Sequence, residues 1–362
     1  MKIVYVLGGL PFGGIRNLLF DFTQELSNRG DVVYILNLSG TGIKYNETTY
    51  PMLNIINVSS SLKAIKTYRI DTVLRLRKLI KKYNPDIVHT MEFSGDYFGR
   101  LALMGLKIPI ITHIHNIKKE KKIHRTIANK ILSYKTDLFL SVSNAVKNYV
   151  DSAHNIAKRK NIVLYNAIDE KRFNGLKHKK KGNITKIVAV GRFVKQKNFD
   201  LLIKAFNKVK DELPSISLSI IGEGKDRGYL EKLINDLNLA KDVFLPGYSD
   251  NIPAILACSD LFVMPSKSEG FGSAYLEAMY MGIPGIISEF VPLKEIASEC
   301  SLVCKTDTDN IADKMKKLLT DNKLYEQFSI KAKEIAADHT IGKYADELVK
   351  IYNSLITRDL DR

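Results

Sequence analysis

The sequence predicts an α/β protein made of two doubly wound, parallel-sheet domains in tandem. Short apolar runs rich in Val, Ile and aromatic residues alternate with amphipathic helical stretches along nearly the whole chain, the βαβ pattern of parallel sheets covered on both faces. The series breaks once, at residues 166–183 (NAIDEKRFNGLKHKKKGN), where apolar periodicity gives way to a basic, Gly-containing stretch. A length of 362 residues with 45% hydrophobic content suffices for two real cores.

Taken in order, the first series places strands at 2–7, 32–38, 86–90, 109–115, 137–143 and 161–165, with a helix over 70–83. The second places strands at 186–191, 217–222, 243–245, 261–265 and 285–288, with helices over 199–209 and from Ser273 to Gly282. A last amphipathic helix covers 341–356. The expected domains are 1–168 and 184–339, with 169–183 as linker and 340–362 as a C-terminal segment.

Composition narrows the function. The opening MKIVYVLGGL has too short an apolar stretch for a membrane span and continues into folded-domain pattern, so it reads as a first strand. A cytoplasmic location is the expectation, and Cys258, Cys300 and Cys304 suit a reducing compartment. The pair Cys300/Cys304 lacks the further ligands of a structural zinc. The net charge of +16 is unevenly placed: residues 1–181 hold 31 Lys and Arg against 13 Asp and Glu (+18), leaving 24 against 26 (−2) for 182–362. Compositional bias would spread lysine over both halves, so the basic first half is expected to face a polyanion or, above all, an anionic membrane surface, with ordinary solvated helix faces and a linker as the alternative. Its dense stretches are 75–82, 118–125, 158–160 and 177–181. Nucleic acid is not the expected partner, since no recognition motif or aromatic platform accompanies the charge.

The most informative run is PSKSEGFGSAYLEAMYMGIP, residues 265–284. It reads as a strand end, a Gly-bracketed loop and a helix start. Gly270 and Gly272 let backbone N–H groups approach a ligand, and the amides of the first helical turn, from Ser273 onward, favour an anion. Glu269 stands in the loop, and Glu277, about one turn into the helix, is placed to accept hydrogen bonds from a diol such as ribose. EGFG followed by EAM resembles the Glu-x7-Glu motif of retaining glycosyltransferases of family 4 (glycosyl transferases group 1). The segments 163–173 (VLYNAIDEKRF), 190–206 (VGRFVKQKNFDLLIKAF), 221–233 (IGEGKDRGYLEKL) and 243–248 (VFLPGY) resemble that family in the expected order.

The resemblance implies a GT-B fold, in which two Rossmann-like domains face a central cleft and the C-terminal helix returns to the first domain. It implies a metal-independent hexosyltransferase, with no cofactor, that moves a sugar from a nucleotide diphosphate donor, UDP-linked by expectation, to a surface-polysaccharide or lipid-linked acceptor. Arg192 and Lys197, two cations at a strand-to-helix loop, match the family's pyrophosphate clamp; a planar fork and a point charge suit a diphosphate whose negative charge grows on departure. Glu269 and Glu277 are then a sugar-binding and a ribose-binding acid; a glycosidase pair would have to flank one bond. Gly270, Phe271, Gly272 and Ser273 belong to the donor loop. Gly222 and Gly224 shape the nucleotide pocket, and Tyr248 adjoins the base.

In the first domain, His113 and His115 lie on the same side of one strand by alternation, so periodicity cannot separate them. Alignment with the family favours His115 as the catalytic contact, and His89 ends another strand as an acceptor contact. Gly13 and Gly14 precede a helix and could admit a phosphate or an acceptor. They do not form a G-x-G-x-x-G fingerprint, and Ile15-Arg16 stands where the family often has an acid. The alternative activity is that of a GT-B nucleotide-sugar epimerase or a phosphorylase-like enzyme.

Overall fold

A computed structural model describes residues 1–10, 13–39, 48–59, 69–116, 123–154, 160–178 and 185–360. The chain divides into two compact units, residues 1–167 with 341–362, and residues 168–340.

The first unit is a seven-stranded parallel sheet of order β3-β2-β1-β4-β5-β6-β7. The strands are β1 (Lys2–Leu7), β2 (Val32–Asn37), β3 (Asn54–Asn57), β4 (Ile87–Met91), β5 (Ile110–Ile114), β6 (Leu138–Ser141) and β7 (Asn161–Val163). Because β1 carries β2 on one side and β4 on the other, successive crossovers run in opposite directions from it and cover both faces. Helices α2 (Ile70–Tyr83), α3 (Glu92–Ala102), α4 (Ile123–Leu132) and α5 (Asn144–His154) form one layer, with Leu76, Ile80 and Phe98 packed on Val4 and Val6. Helix α1 (Gly14–Asn28) packs on the other face, through Leu19, Phe22 and Leu26. Ile341, Tyr344, Leu348 and Tyr352 of the last helix join the same core.

The second unit is a six-stranded parallel sheet of order β10-β9-β8-β11-β12-β13. Its strands are β8 (Lys186–Val190), β9 (Ser217–Ile221), β10 (Val243–Gly247), β11 (Leu261–Met264), β12 (Gly285–Ser288) and β13 (Ser301–Cys304). The order again reverses beside its first strand, between β8 and β11, the place where open α/β sheets receive ligands. The helices are α6 (Phe199–Lys210), α7 (Arg227–Asp236), α8 (Ile252–Ala257), α9 (Ser273–Tyr280), α10 (Lys294–Ala297), α11 (Thr308–Thr320) and α12 (Asn322–Ala336); α13 (Ile341–Leu360) belongs to the first unit. Helix α6 shows the construction. Its buried Phe199, Leu202, Ile203, Phe206 and Val209 recur at three- and four-residue spacing, and truncating Phe206 to Ala would cost about 3–5 kcal/mol.

Two strands, β3 and β13, lie outside the sequence-based series, and β10 runs two residues past its expected end, to Gly247. Pro246 is tolerated there because β10 is an edge strand with a register irregularity between Phe244 and Gly247. The expected linker 169–183 needs correction over its described part. Ile168 pairs with Thr340, Asp169 caps a short 3-10 helix (Glu170–Phe173) through the Lys171 amide, and Phe173 is buried with its ring 5.1 Å from that of Tyr280. An aromatic side chain with a place in the core holds this stretch in the second unit. Residues 179–183 lie outside the described residues, as do 117–122 and 155–159, which include Lys118, Lys119, Lys121, Lys122 and Lys158.

Candidate active site

At the C-terminal ends of β8 and β11, two loops are stitched together by consecutive residues of the QKN sequence. Gln196 donates Nε2 to the Ser268 carbonyl (2.6 Å) and accepts from the Lys267 amide at its own carbonyl (2.8 Å). Asn198, buried and left-handed (φ 58°), donates to the Pro265 carbonyl at 3.2 Å. Asn tolerates this backbone conformation better than other non-glycine residues. Between the two bolts, Lys197 Nζ reaches Glu269 Oε1 at 2.6 Å. Arg192, at the mouth of the same loop, is exposed and has no side-chain partner among the described residues.

The glycines have distinct reasons. A Cβ on Gly222 would fall 2.0 Å from the Gly191 carbonyl oxygen, and one on Gly224 would fall 2.3 Å from that of Phe193. The Phe193 amide donates to the Glu223 carbonyl (2.8 Å), and the Asp226 amide to the Phe193 carbonyl (3.1 Å). The IGEG glycines therefore let two backbone loops touch, which fixes the position of Gly191-Arg192. Gly272 (φ 120°) caps α9, and a Cβ there would meet Val291 at 2.8 Å. Gly270 lies in the partly exposed loop, and Ser273 opens the helix. Phe271 corrects the expectation of a donor contact: the residue is 2% exposed, its ring a core anchor. Tyr248 is exposed, its hydroxyl bonded to Asp250.

Glu277 lies on α9 with its carboxylate 3.3 Å from Arg172 Nη1, a residue of the short 3-10 helix. Burial pushes the Glu277 carboxyl above the usual carboxylate range, against the pull of the Arg172 guanidinium. Arg172 lies inside the family-like segment 163–173, but its four-residue 3-10 helix carries no helical periodicity that would announce its role in the sequence.

In the first unit, His113 and His115 are neighbours, with ring centroids 4.0 Å apart. His113 is wholly buried. Its Nδ1 lies 3.2 Å from His89 Nε2, and His89 Nδ1 lies 2.7 Å from the hydroxyl of Tyr352, which in turn is 2.6 Å from that of Tyr5. Burial depresses both buried imidazoles, His89 to about 3 and His113 well below the ordinary value, with His115 adding to both shifts, so both are neutral. His89 is thus an interior bridge, which corrects the expectation of an acceptor contact; His115, past the end of β5 and 6% exposed, is the outer member. Gly13 caps α1 with φ 155° and ψ 170°, a conformation reserved for glycine, and a Cβ at Gly13 or Gly14 would meet nothing within 4 Å. Arg16 turns inward over the Phe20 ring. At the switch point of this sheet Glu92 follows β4 with φ 62°, a turn with no signal in the local sequence. Among the described residues no three His, Cys, Asp or Glu side chains form a metal-binding group.

Two parallel α/β units, the second with Arg192, Lys197 and Glu269 at its strand-order reversal, define a GT-B protein, and the relatives agree. The profile described as Glycosyltransferase Family 4 matches residues 12–172, and Glycosyl transferases group 1 matches 168–335. The chain belongs to this family, glycosyltransferase family 4 or group 1, and is a glycosyltransferase. It is 27% identical over 386 aligned residues to the UDP-Gal:alpha-D-GlcNAc-diphosphoundecaprenol alpha-1,3-galactosyltransferase of Escherichia coli, covering 95% of this chain and 98% of the relative. It is 24% identical to the N-acetyl-alpha-D-glucosaminyl L-malate synthase of Bacillus anthracis, over 89% and 88% of the two chains. The crystal structure of Anabaena Alr3699/HepE in complex with UDP superposes with a TM-score of 0.84 at 17% identity, covering 98% of this chain and all of that one.

Proposed function

We propose that the protein is a retaining glycosyltransferase that takes a hexose from a UDP-sugar and passes it to a lipid-linked glycan without a metal ion. The observation that carries the donor half is the Gln196–Asn198 stitch, which holds Lys197 against Glu269 across two loops, the first of them the loop that carries Arg192. In this reading Arg192 receives the diphosphate first, because it has no partner to leave. Lys197 exchanges Glu269 for phosphate oxygen, and the released Glu269 carboxylate accepts hydrogen bonds from the sugar hydroxyls. Negative charge grows on the diphosphate as the glycosidic C–O bond breaks, so both cations favour the transition state over the bound substrate. Glu277, steadied by Arg172, accepts from the ribose diol. Retention follows if the acceptor attacks from the leaving-group face and passes its proton to the departing phosphate. In the first unit, His115 contacts the transferred sugar or its acceptor, while the backbone of Gly13 and Gly14 leaves room for acceptor phosphate.

A lipid-linked acceptor is supported by the named substrate of the E. coli relative and by the +18 excess of residues 1–181, which would hold that domain on an anionic leaflet. The B. anthracis relative, named for malate, makes a small soluble acid the competing acceptor. Incubating the protein with a panel of nucleotide sugars, with and without undecaprenyl-diphosphate-linked acceptors, tests the reading. UDP release that depends on the lipid-linked acceptor is expected. Acceptor-independent conversion of the donor to an epimer would replace transfer with epimerisation, and release dependent on malate alone would replace the acceptor class.

A further inference from the structure

Helix α4 is amphipathic the wrong way round. Its inner side buries Asn129 and Leu132, and Arg100 of α3, itself fully buried, donates Nη1 to Asn129 Oδ1 at 2.7 Å and Nε to Thr136 Oγ1 at 2.9 Å. That bond fixes the rotation of the helix about its axis. The residues left facing outward are Ile123, Ile127 and Ile131, at four-residue spacing, exposed by 78%, 54% and 63%, followed by Tyr134 at 65%. At about 100° per residue the three isoleucines fall within an arc of roughly 80°, and Lys130 stands beside them. A solvated helix would place asparagine outside and isoleucine inside, since each exposed isoleucine forgoes the burial that stabilises ordinary surface helices.

The surroundings identify what covers this stripe. Over residues 123–135 the sequence holds Arg125, Lys130 and Lys135 and no Asp or Glu. Helix α2, in the same layer, exposes Ile70 and Leu74 beside Arg75, Lys78, Lys81 and Lys82. Arg77 of α2 donates to the Ala102 and Met104 carbonyls, and Lys135 donates to that of Leu106, so one short loop with exposed Met104 joins the two helices. Isolated isoleucines and an aromatic hydroxyl among cations suit the headgroup and acyl boundary of an anionic bilayer, where apolar side chains are buried while lysines meet phosphate.

We propose that α4 inserts its Ile123, Ile127, Ile131 and Tyr134 edge into the surface of an anionic membrane. This deepens the surface attachment suggested above, turning a purely electrostatic contact into a shallow hydrophobic one. Helix α4 is the first described element after β5, so the anchor belongs to the same unit as His115.

The chain contains no tryptophan, so Tyr134→Trp gives a single fluorescent reporter at an exposed position. With vesicles of one part phosphatidylglycerol to three of phosphatidylcholine, its emission should shift to the blue and become resistant to a water-soluble quencher. The shift should survive about 1 M NaCl added after binding, where the screening length falls to ~3 Å. Ile127→Ser with Ile131→Ser in the same reporter protein should weaken vesicle binding at least about tenfold, with transfer to a short soluble acceptor unchanged. A protein that co-sediments with vesicles while the reporter indole stays in water would overturn insertion and leave electrostatic attachment standing. No co-sedimentation at any salt would overturn both. A blue shift that appears without vesicles and grows with protein concentration would overturn insertion by assigning the stripe to a second copy of the chain.

Discussion

Lys197 and Glu269 form an ion pair at 2.6 Å across two loops that are bolted on either side by Gln196 and Asn198, so the lysine cannot swing away with its loop. Arg192, by contrast, is uncommitted. The two cations of the proposed clamp are therefore unequal, Arg192 exposed and Lys197 paired with Glu269.

Arg192→Ala and Lys197→Ala should each lower turnover at least about a hundredfold, a loss on the order of 3 kcal/mol of transition-state stabilisation. The two should differ in donor affinity. Losing Arg192 raises the donor Kd, whereas losing Lys197 leaves Glu269 without its cation and also lowers thermal stability. Steady-state kinetics together with thermal melts separate them; wild-type turnover in either variant removes that residue from the clamp.

Glu277 should give the protein a pH signature. Its carboxyl is raised by burial, so the ionised form subtracts from folding stability. That cost is fully present above the folded pKa and absent below the unfolded one, so Glu277→Gln should raise the melting temperature near neutral pH. The same change should weaken nucleotide binding. Removing Arg172 takes away the one charge that opposes burial, so in Arg172→Ala the acid limb of donor binding should move to higher pH. Calorimetric titration of UDP from pH 5 to 8 reads both effects; an unmoved acid limb would detach Arg172 from Glu277.

Transfer should continue in the presence of a chelator, because Arg192, Lys197 and the amides at the start of α9 offset the diphosphate charge. Activity that disappears with EDTA and returns with Mg²⁺ or Mn²⁺ would mean that these groups are insufficient.

The chain of Tyr5, Tyr352, His89 and His113 ties α13 to β1, β4 and β5 of the first unit. Neutral His89 and His113, depressed below 6.5, lend stability that is fully present above that pH and lost as pH falls through their lowered values, about 3 for His89. Wild-type unfolding free energy should fall with decreasing pH by up to about 1.4 kcal/mol per pH unit for each histidine. His89→Gln should remove one proton from that slope, read by urea unfolding at several pH values; an unchanged slope would mean that His89 is not held neutral.

Much of this was legible locally. The second unit's β8, β11 and α9 follow from apolar runs and glycine punctuation, and the motif set in that frame marks the two loops that bring Lys197 to Glu269. Strand β3 was not, because NIIN has two apolar residues and no alternation to mark it. Phe271 is misleading in sequence because two glycines flank it as in a binding loop, while its side chain answers to the core. The partnership of His89 with Tyr352 spans 263 positions and leaves no local pattern. Arg172 was hidden for a related reason: it sits in a stretch whose single buried anchor, Phe173, is too little to produce a period. Local periodicity reports which face is buried, and polar partnerships across the fold are set by topology.

In the proposed function the second unit binds a nucleoside diphosphate through Arg192, Lys197 and Glu277 without a metal. Isothermal titration of UDP, ADP and GDP into the protein in EDTA measures this directly. Binding of UDP, weakened by at least about tenfold in both Arg192→Ala and Glu277→Ala with the fold intact by circular dichroism, is the predicted result. A protein that binds none of the three until a divalent cation is added, or that binds UDP equally well in both variants, would contradict it.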